Sequence, residues 1–244
     1  AHVGDLPILM QGSLGFPLAP KPFDGNSRKV EAGAAFHWLR QGWALFLAKP
    51  LLWLVATTAV LIFAIACLLL PKPGWALFFP LTPVLMVGAL LFCRELAEDR
   101  KAALADCLAG FRIRAGGLAL IGLLLALFLL AAWWCGRVLV GDTTAGLSAR
   151  LFSTLATLLL AMPVLLAAAF APALYFFNDM PPLEAMKASF NACAHNWLAL
   201  LVFFVLFLLL ALVTAISVGL GLFLLIPVMS GAHYAAYRDF FPGT

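Results

Sequence analysis

Phe190-Asn191-Ala192-Cys193-Ala194-His195-Asn196-Trp197-Leu198 opens a stretch that crosses two apolar segments and closes on Tyr237-Arg238-Asp239. Moving back 144 positions returns the same landmarks without a gap. Phe46 answers Phe190, Trp53-Leu54 answers Trp197-Leu198, and Phe63 answers Phe207. Pro83-Val84 answers Pro227-Val228, and Arg94-Glu95 answers Arg238-Asp239. Leucine matches would follow from composition alone, but a Trp, two Phe, a Pro and a basic-acidic pair at one offset would not. The chain reads as a repeated two-span membrane unit.

Composition agrees with that reading. Apolar residues make up 65% of the chain and charged ones 11%, against about 25% charged in soluble domains. A span needs ~20 mostly apolar residues to cross ~30 Å of hydrocarbon. Six segments qualify, at about 51–70, 75–93, 118–136, 151–177, 197–216 and 219–237. They are continuously apolar rather than alternating, which selects helices over a barrel.

Twelve of the fifteen Lys and Arg residues fall inside if the amino terminus is cytoplasmic, leaving Lys72, Arg137 and Arg150 outside. That positive-inside bias places both termini in the cytoplasm. The net charge of +4 then reports topology and anionic lipid, not nucleic acid.

Each pair of spans has a preface. Phe36, Leu39, Trp43 and Phe46 share one helical face and stop before Pro50. Leu104, Leu108, Phe111 and Ala115 repeat the pattern before the third span, and Leu183, Met186, Phe190, Cys193 and Trp197 before the fifth. These segments are expected as interfacial amphipathic helices with the stripe toward the acyl chains. The even spans each carry a Pro-Val: Pro83-Val84, Pro163-Val164 and Pro227-Val228. From Pro to the closing acid the distance is 12, 16 and 12 residues. The middle copy is thus longer by about one helical turn.

The expected architecture is an all-α polytopic membrane protein with six transmembrane helices. They form three parallel two-helix repeats, about 36–95, 100–179 and 183–239, each preceded by a cytoplasmic interfacial amphipathic helix. Residues 31–241 make the membrane domain, and residues 1–30 an apolar, extended cytoplasmic tail rather than a signal peptide. The tail has four Pro and four Gly, yet also Leu6, Ile8, Leu9, Met10, Leu14, Phe16 and Leu18. Such apolarity predicts docking against the bundle or a partner rather than free solvation.

Phe36–Phe46, Phe170–Leu174, Pro181–Phe190 and Ala235–Phe241 resemble an uncharacterised family of six-helix bacterial inner-membrane proteins. The chain is more distantly similar to the membrane domain found beside glycerophosphodiester phosphodiesterases. The resemblance covers about Arg28 to Phe241 and implies a bacterial inner membrane, with no activity attached.

Chemistry-bearing patterns are sparse. The apolar spans hold no Asp, Glu or Lys at depth, which argues against ion-coupled carriers and proton pumps. Cys193, His195 and Cys107, or His233 with nearby Met, lack the paired spacing of metal or haem sites, so no metal and no cofactor is expected. Five cysteines form no disulfide framework, although Cys67 and Cys135 lie near the outer ends of their spans. No nucleophile elbow, phosphate loop or zinc-protease motif occurs, and the protein is expected not to be an enzyme. Glu95, Asp179 and Asp239 read as span-end charges, with Arg94-Glu95 and Arg238-Asp239 bridging between repeats. The expected repeat-packing or partner-contact residues are Trp43, Phe46, Trp53, Arg94, Glu95, Asp179, Phe190, Trp197, Arg238 and Asp239. The expected role is an accessory, scaffold or assembly subunit of a larger membrane complex, contacted through the spans and residues 1–30. A transporter or binder of lipids or small hydrophobic molecules is the alternative.

Overall fold

The computed structural model describes residues 23, 25–69, 74–98, 103–140, 146–217 and 219–242. Most of the expected tail lies outside the described residues. Helices α1 (Ala34–Ala48), α2 (Pro50–Leu69) and α3 (Gly74–Ala97) come first. A 3-10 turn at Leu104–Leu108 leads into the short α4 (Ala109–Ile113), then α5 (Ala115–Val140) and α6 (Leu147–Phe177). The last three are α7 (Pro182–His195), α8 (Trp197–Ile216) and α9 (Leu222–Phe240). No strand occurs among the described residues.

Local sequence accounts for the breaks. Pro50 cannot donate a backbone hydrogen bond, so α1 stops and α2 starts across Lys49, whose ψ is 68°. Asn196, with φ −112° and ψ 27°, separates α7 from α8. Proline lies inside α3 (Pro80, Pro83), α6 (Pro163, Pro172) and α9 (Pro227). The second preface segment is not one amphipathic helix but a 3-10 turn followed by five α-helical residues.

Among the described residues, five helices are long and apolar enough to cross a membrane: Pro50–Cys67, Pro80–Ala97, Ala115–Val138, Leu147–Phe177 and Trp197–Ile216. The sixth expected span corresponds to α9, which carries His233, Tyr234, Tyr237, Arg238 and Asp239 and falls short. The reason is packing: α1 lies along α9, and a helix sheathed by protein need not be apolar all round. The other long helices turn large apolar side chains outward. Leu51, Ile62, Leu159, Val213 and Ile216 are each more than half exposed, a surface that only acyl chains cover well.

Each proline-bearing helix holds a short helix against itself. The 3-10 turn and α4 pack on α3, α7 packs on α6, and α1 packs on α9. The last helix therefore holds the first. These contacts are close. A Cβ on Gly42 would lie 2.1 Å from the Val228 carbonyl oxygen, and one on Gly110 would lie 2.6 Å from that of Val84. Val84 and Val228 are the two valines paired by the 144-residue offset. On α6 the contact is polar instead. The Ser189 hydroxyl donates to the Leu166 carbonyl at 2.8 Å and accepts from the Phe170 amide at 2.9 Å. Those two backbone groups are the donor and acceptor of one α-helical rung, so a single hydroxyl from α7 meets both ends of it.

Candidate functional site

The densest arrangement of polar and aromatic groups lies where the chain between Gly25 and Val30 crosses the ends of α8 and α9. The Arg28 amide donates to the Phe240 carbonyl at 2.8 Å. Asn196 grips the same segment, accepting from the Val30 amide at 2.8 Å and donating to the Arg28 carbonyl at 3.1 Å. Gly25 takes φ +74°, with a Cβ there 3.0 Å from Ala188, a backbone turn suited to glycine. Phe23 meets Phe241 edge-on, ring centroids 5.9 Å apart. The segment is thus stapled by backbone bonds before α1 begins.

Trp38 sits beneath it, fully buried. Its ring meets Phe203 at 5.7 Å and Phe240 at 5.4 Å, both edge-on. Its indole nitrogen donates to Asp239 at 2.6 Å, and Arg28 approaches the other oxygen of that carboxylate at 3.7 Å. Phe170 continues the aromatic cluster to Phe240 and Phe241. His233 stacks on Phe170 with centroids 4.6 Å apart, its Nε2 within 3.0 Å of the Ala169 carbonyl oxygen. A carbonyl accepts only, so Nε2 carries the proton. The Tyr237 hydroxyl donates to the Asn178 side chain.

Asp179 follows α6 with φ +58°, a left-handed position that Asp and Asn tolerate better than most residues. Its carboxylate pairs with Arg114, which also donates to the Tyr175 carbonyl at 2.9 Å. Arg94 pairs with Glu98 at 3.1 Å and lies 5.4 Å over the Phe177 ring.

The expected contact residues are distributed rather than gathered. Trp53 is buried against Phe92, at 4.8 Å, and donates to the Leu45 carbonyl at 3.2 Å. Trp43 packs on Phe46 at 5.8 Å and is itself exposed. Phe190 and Trp197 are exposed, Glu95 is half-buried on α3, and Arg238 is exposed at the end of α9. Asp239 and Asp179 make the polar contacts given above. Sequence reading missed Trp38, Ser189, Asn196 and Thr57, single residues with no spacing to mark them.

Burial pushes the Cys107 thiol up to about 11, with Asp106 acting in the same direction. Burial likewise pushes Cys193 up to about 12, against the hydrogen bond from Ser189. Both stay protonated at neutral pH. Cys193 points its sulfur at the Leu166 carbonyl, 3.5 Å away, while His195 engages the Asn191 carbonyl at 2.9 Å. Cys67 and Cys135 are both free thiols.

Hollows interrupt the packing among the described residues. One of about 390 Å³ lies between α1, α8 and α9, against Trp43 and Thr214. A polar one of about 510 Å³ separates residues 25–29 from α7 and includes Lys29, Glu184 and Lys187. A third, of about 360 Å³, lies between α2, α3, α9 and the segment Leu104–Phe111, against Trp53 and Thr57.

The chain is 28% identical over 229 residues to a probable inner membrane protein of Burkholderia thailandensis, covering 85% of this chain and 83% of that protein. No family model matches the chain. No solved structure matches it either. Five membrane-length apolar helices with outward apolar side chains make this an α-helical membrane protein in contact with lipid.

Proposed function

We propose that the protein is a non-catalytic scaffold of the bacterial inner membrane, an accessory or assembly subunit of a larger membrane complex. In this reading α9 is a sixth crossing and both termini lie in the cytoplasm. The three helix pairs form a ring of parallel repeats in which each proline-bearing span carries the short helix of the next unit. The pairing of α3 with the 3-10 turn and α4, of α6 with α7, and of α9 with α1 supports that arrangement. The Burkholderia relative's name supports the inner membrane.

One observation carries the scaffold reading. The chain is stapled at Arg28–Val30 to Phe240 and Asn196, so the apolar residues before it leave from a fixed point on a rigid body. A preorganised exit lowers the entropy lost when such a segment engages a surface.

Gentle-detergent purification from the source organism, followed by native mass measurement, tests this. The full chain is expected in stoichiometric association with other membrane subunits. Removal of residues 1–22 is expected to release those subunits while leaving the melting temperature unchanged, because the staple remains. A full-length chain that purifies alone from native membranes would overturn the reading.

A further inference from the structure

The hollow of about 390 Å³ between α1, α8 and α9 joins apolar walls to a single charge. Val213, Leu224 and Val228 line it from the side of α8 and α9, and Leu39 and Trp43 from α1. Gly221 closes one end, since a Cβ there would lie 2.8 Å from Thr214. The Thr214 hydroxyl is already given to the Leu210 carbonyl at 3.0 Å, so it has no hydrogen left for a ligand. Arg40 borders the same space and is exposed, and no carboxylate borders it among the described residues. Arg28, Arg94 and Arg114 each meet an acid, but the Arg40 side chain has neither ion pair nor hydrogen bond among the described residues.

The level of that charge restricts its partner. Leu210, Val213 and Thr214 lie about 20–26 Å along α8 from Trp197, at 1.5 Å per residue. The hollow therefore opens on the apolar length of a membrane-long helix, not at its Asn196 end. Helix α1 reaches that level because Gly42 packs on Val228 and Ala232, midway along α9. A guanidinium turned toward hydrocarbon without a counter-charge is costly. The matching ligand is anionic at one end and apolar along the rest. A plain hydrocarbon or a neutral ring compound leaves Arg40 unpaired. A zwitterionic head brings an ammonium that no carboxylate of the hollow meets. Phosphate accepts two parallel N–H bonds from a guanidinium, and an acyl chain suits the walls. The volume falls within the range of small-molecule sites.

We propose that this hollow is a site for one anionic phospholipid, with an acyl chain among Trp43, Val213 and Leu224 and the phosphate on the Arg40 guanidinium. The occupant is a lipid of the surrounding bilayer, and the assignment concerns binding alone. It does not depend on the scaffold reading: a subunit of a complex and a solitary protein would present the same hollow.

The full chain, stripped of lipid in detergent, is titrated with dioleoyl phosphatidylglycerol, and bound copies are counted by native mass measurement. Dioleoyl phosphatidylethanolamine and dioleoylglycerol are the comparators, with the same chains but a zwitterionic head or no phosphate. The first phosphatidylglycerol is expected to bind wild type about tenfold more tightly than either, the size of one charge-assisted contact. Arg40→Gln is expected to weaken it about tenfold and abolish the preference, whereas Arg40→Lys keeps the preference. Val213→Trp, which puts a ring into the hollow, is expected to weaken the first binding with Arg40 still in place. Lys187→Gln, on α7 and outside the hollow, is expected to leave it unchanged. Without lipid, Arg40→Gln should melt no earlier than wild type, since its side chain has no partner to lose among the described residues. Equal affinity of wild type for phosphatidylglycerol and phosphatidylethanolamine overturns the proposal, as does unchanged affinity in Arg40→Gln or Val213→Trp. An equal loss in Lys187→Gln also overturns it, because the attraction would then belong to surface charge in general. If Arg40→Gln fails to fold, Val213→Trp and the comparators on wild type decide.

Discussion

The indole nitrogen of Trp38 and a carboxylate oxygen of Asp239 lie 2.6 Å apart across 201 positions of sequence. The bond joins the first helix to the last. Hydrogen bonds to a charged acceptor contribute about 1.5–3 kcal/mol. Trp38→Phe keeps a ring against Phe203 and Phe240 but removes the donor, and is expected to destabilise the folded protein by an amount in that range. Asp239→Asn retains an accepting oxygen and should cost less. Thermal melts of both variants in one detergent check the order; an Asn variant weaker than the Phe variant would locate the stabilisation in the Arg28 contact instead.

Glycines divide sharply by what surrounds them. A Cβ on Gly42 would meet the Val228 carbonyl oxygen at 2.1 Å, and one on Gly88 the Cys107 carbonyl oxygen at 1.9 Å. Both obstacles are backbone and cannot swing aside. Gly42→Ala and Gly88→Ala are each expected to destabilise by about 1–3 kcal/mol or more. Gly116, in the first turn of α5, has nothing within 4 Å of its Cβ position. Gly116→Ala is therefore expected to be neutral or to stabilise by about 0.4–1 kcal/mol through the unfolded chain. Parallel melts of the three variants test the contrast.

Much of this arrangement was legible before any coordinates. Continuous apolar runs marked the helices, Pro50 marked the break between α1 and α2, and proline fell inside α3, α6 and α9 as the sequence placed it. The facing of α1 was not legible. The face that packs on the bundle is made by Ala35, Trp38 and Gly42, which the sequence did not mark, whereas Phe36 and Trp43 of the stripe expected toward the acyl chains are 61% and 44% exposed. In lipid both faces of a helix are apolar, so hydrophobicity does not separate the protein-facing side; small residues that admit close approach do. The same limit explains α9, whose His233 meets Ala169 and Phe170 of α6, whose Tyr237 meets Asn178, and whose Asp239 meets Trp38 of α1, while Arg238 stays exposed. Thr57 and Ser189 escaped because a single hydroxyl in an apolar run has no period. Only the partner group across the interface, Leu166 and Phe170 for Ser189, reveals its use.

Ser189 makes a prediction of its own. Its hydroxyl stands between the Leu166 carbonyl and the Phe170 amide. In Ser189→Ala both groups lose the hydroxyl together and have each other as α-helical partners, so stability should change by less than about 1 kcal/mol. Ser189→Val adds volume at a fully buried position and is expected to cost about 1–3 kcal/mol. Hydrogen exchange at the Phe170 amide distinguishes the outcomes. Protection retained in the alanine variant means the helix has closed its own ladder, whereas faster exchange means the hydroxyl was holding a bond the helix does not remake.

The two thiols outside the apolar spans set an alkaline limit. Burial holds Cys107 up to about 11 and Cys193 up to about 12, from an ordinary value of 9.0. Below about pH 9 both are protonated in the folded and unfolded chains, and the thiols contribute no pH dependence. Above it the unfolded chain releases protons that the folded one retains, so unfolding is increasingly favoured as pH rises toward the folded values. Stability is therefore expected to fall between about pH 9 and 12 and to be level on the neutral side. The double substitution Cys107→Ala and Cys193→Ala should flatten that decline and lower the neutral plateau slightly through lost packing. Denaturation followed from pH 7 to pH 11 in wild type and double variant decides it: superimposable slopes would assign the alkaline loss to other groups.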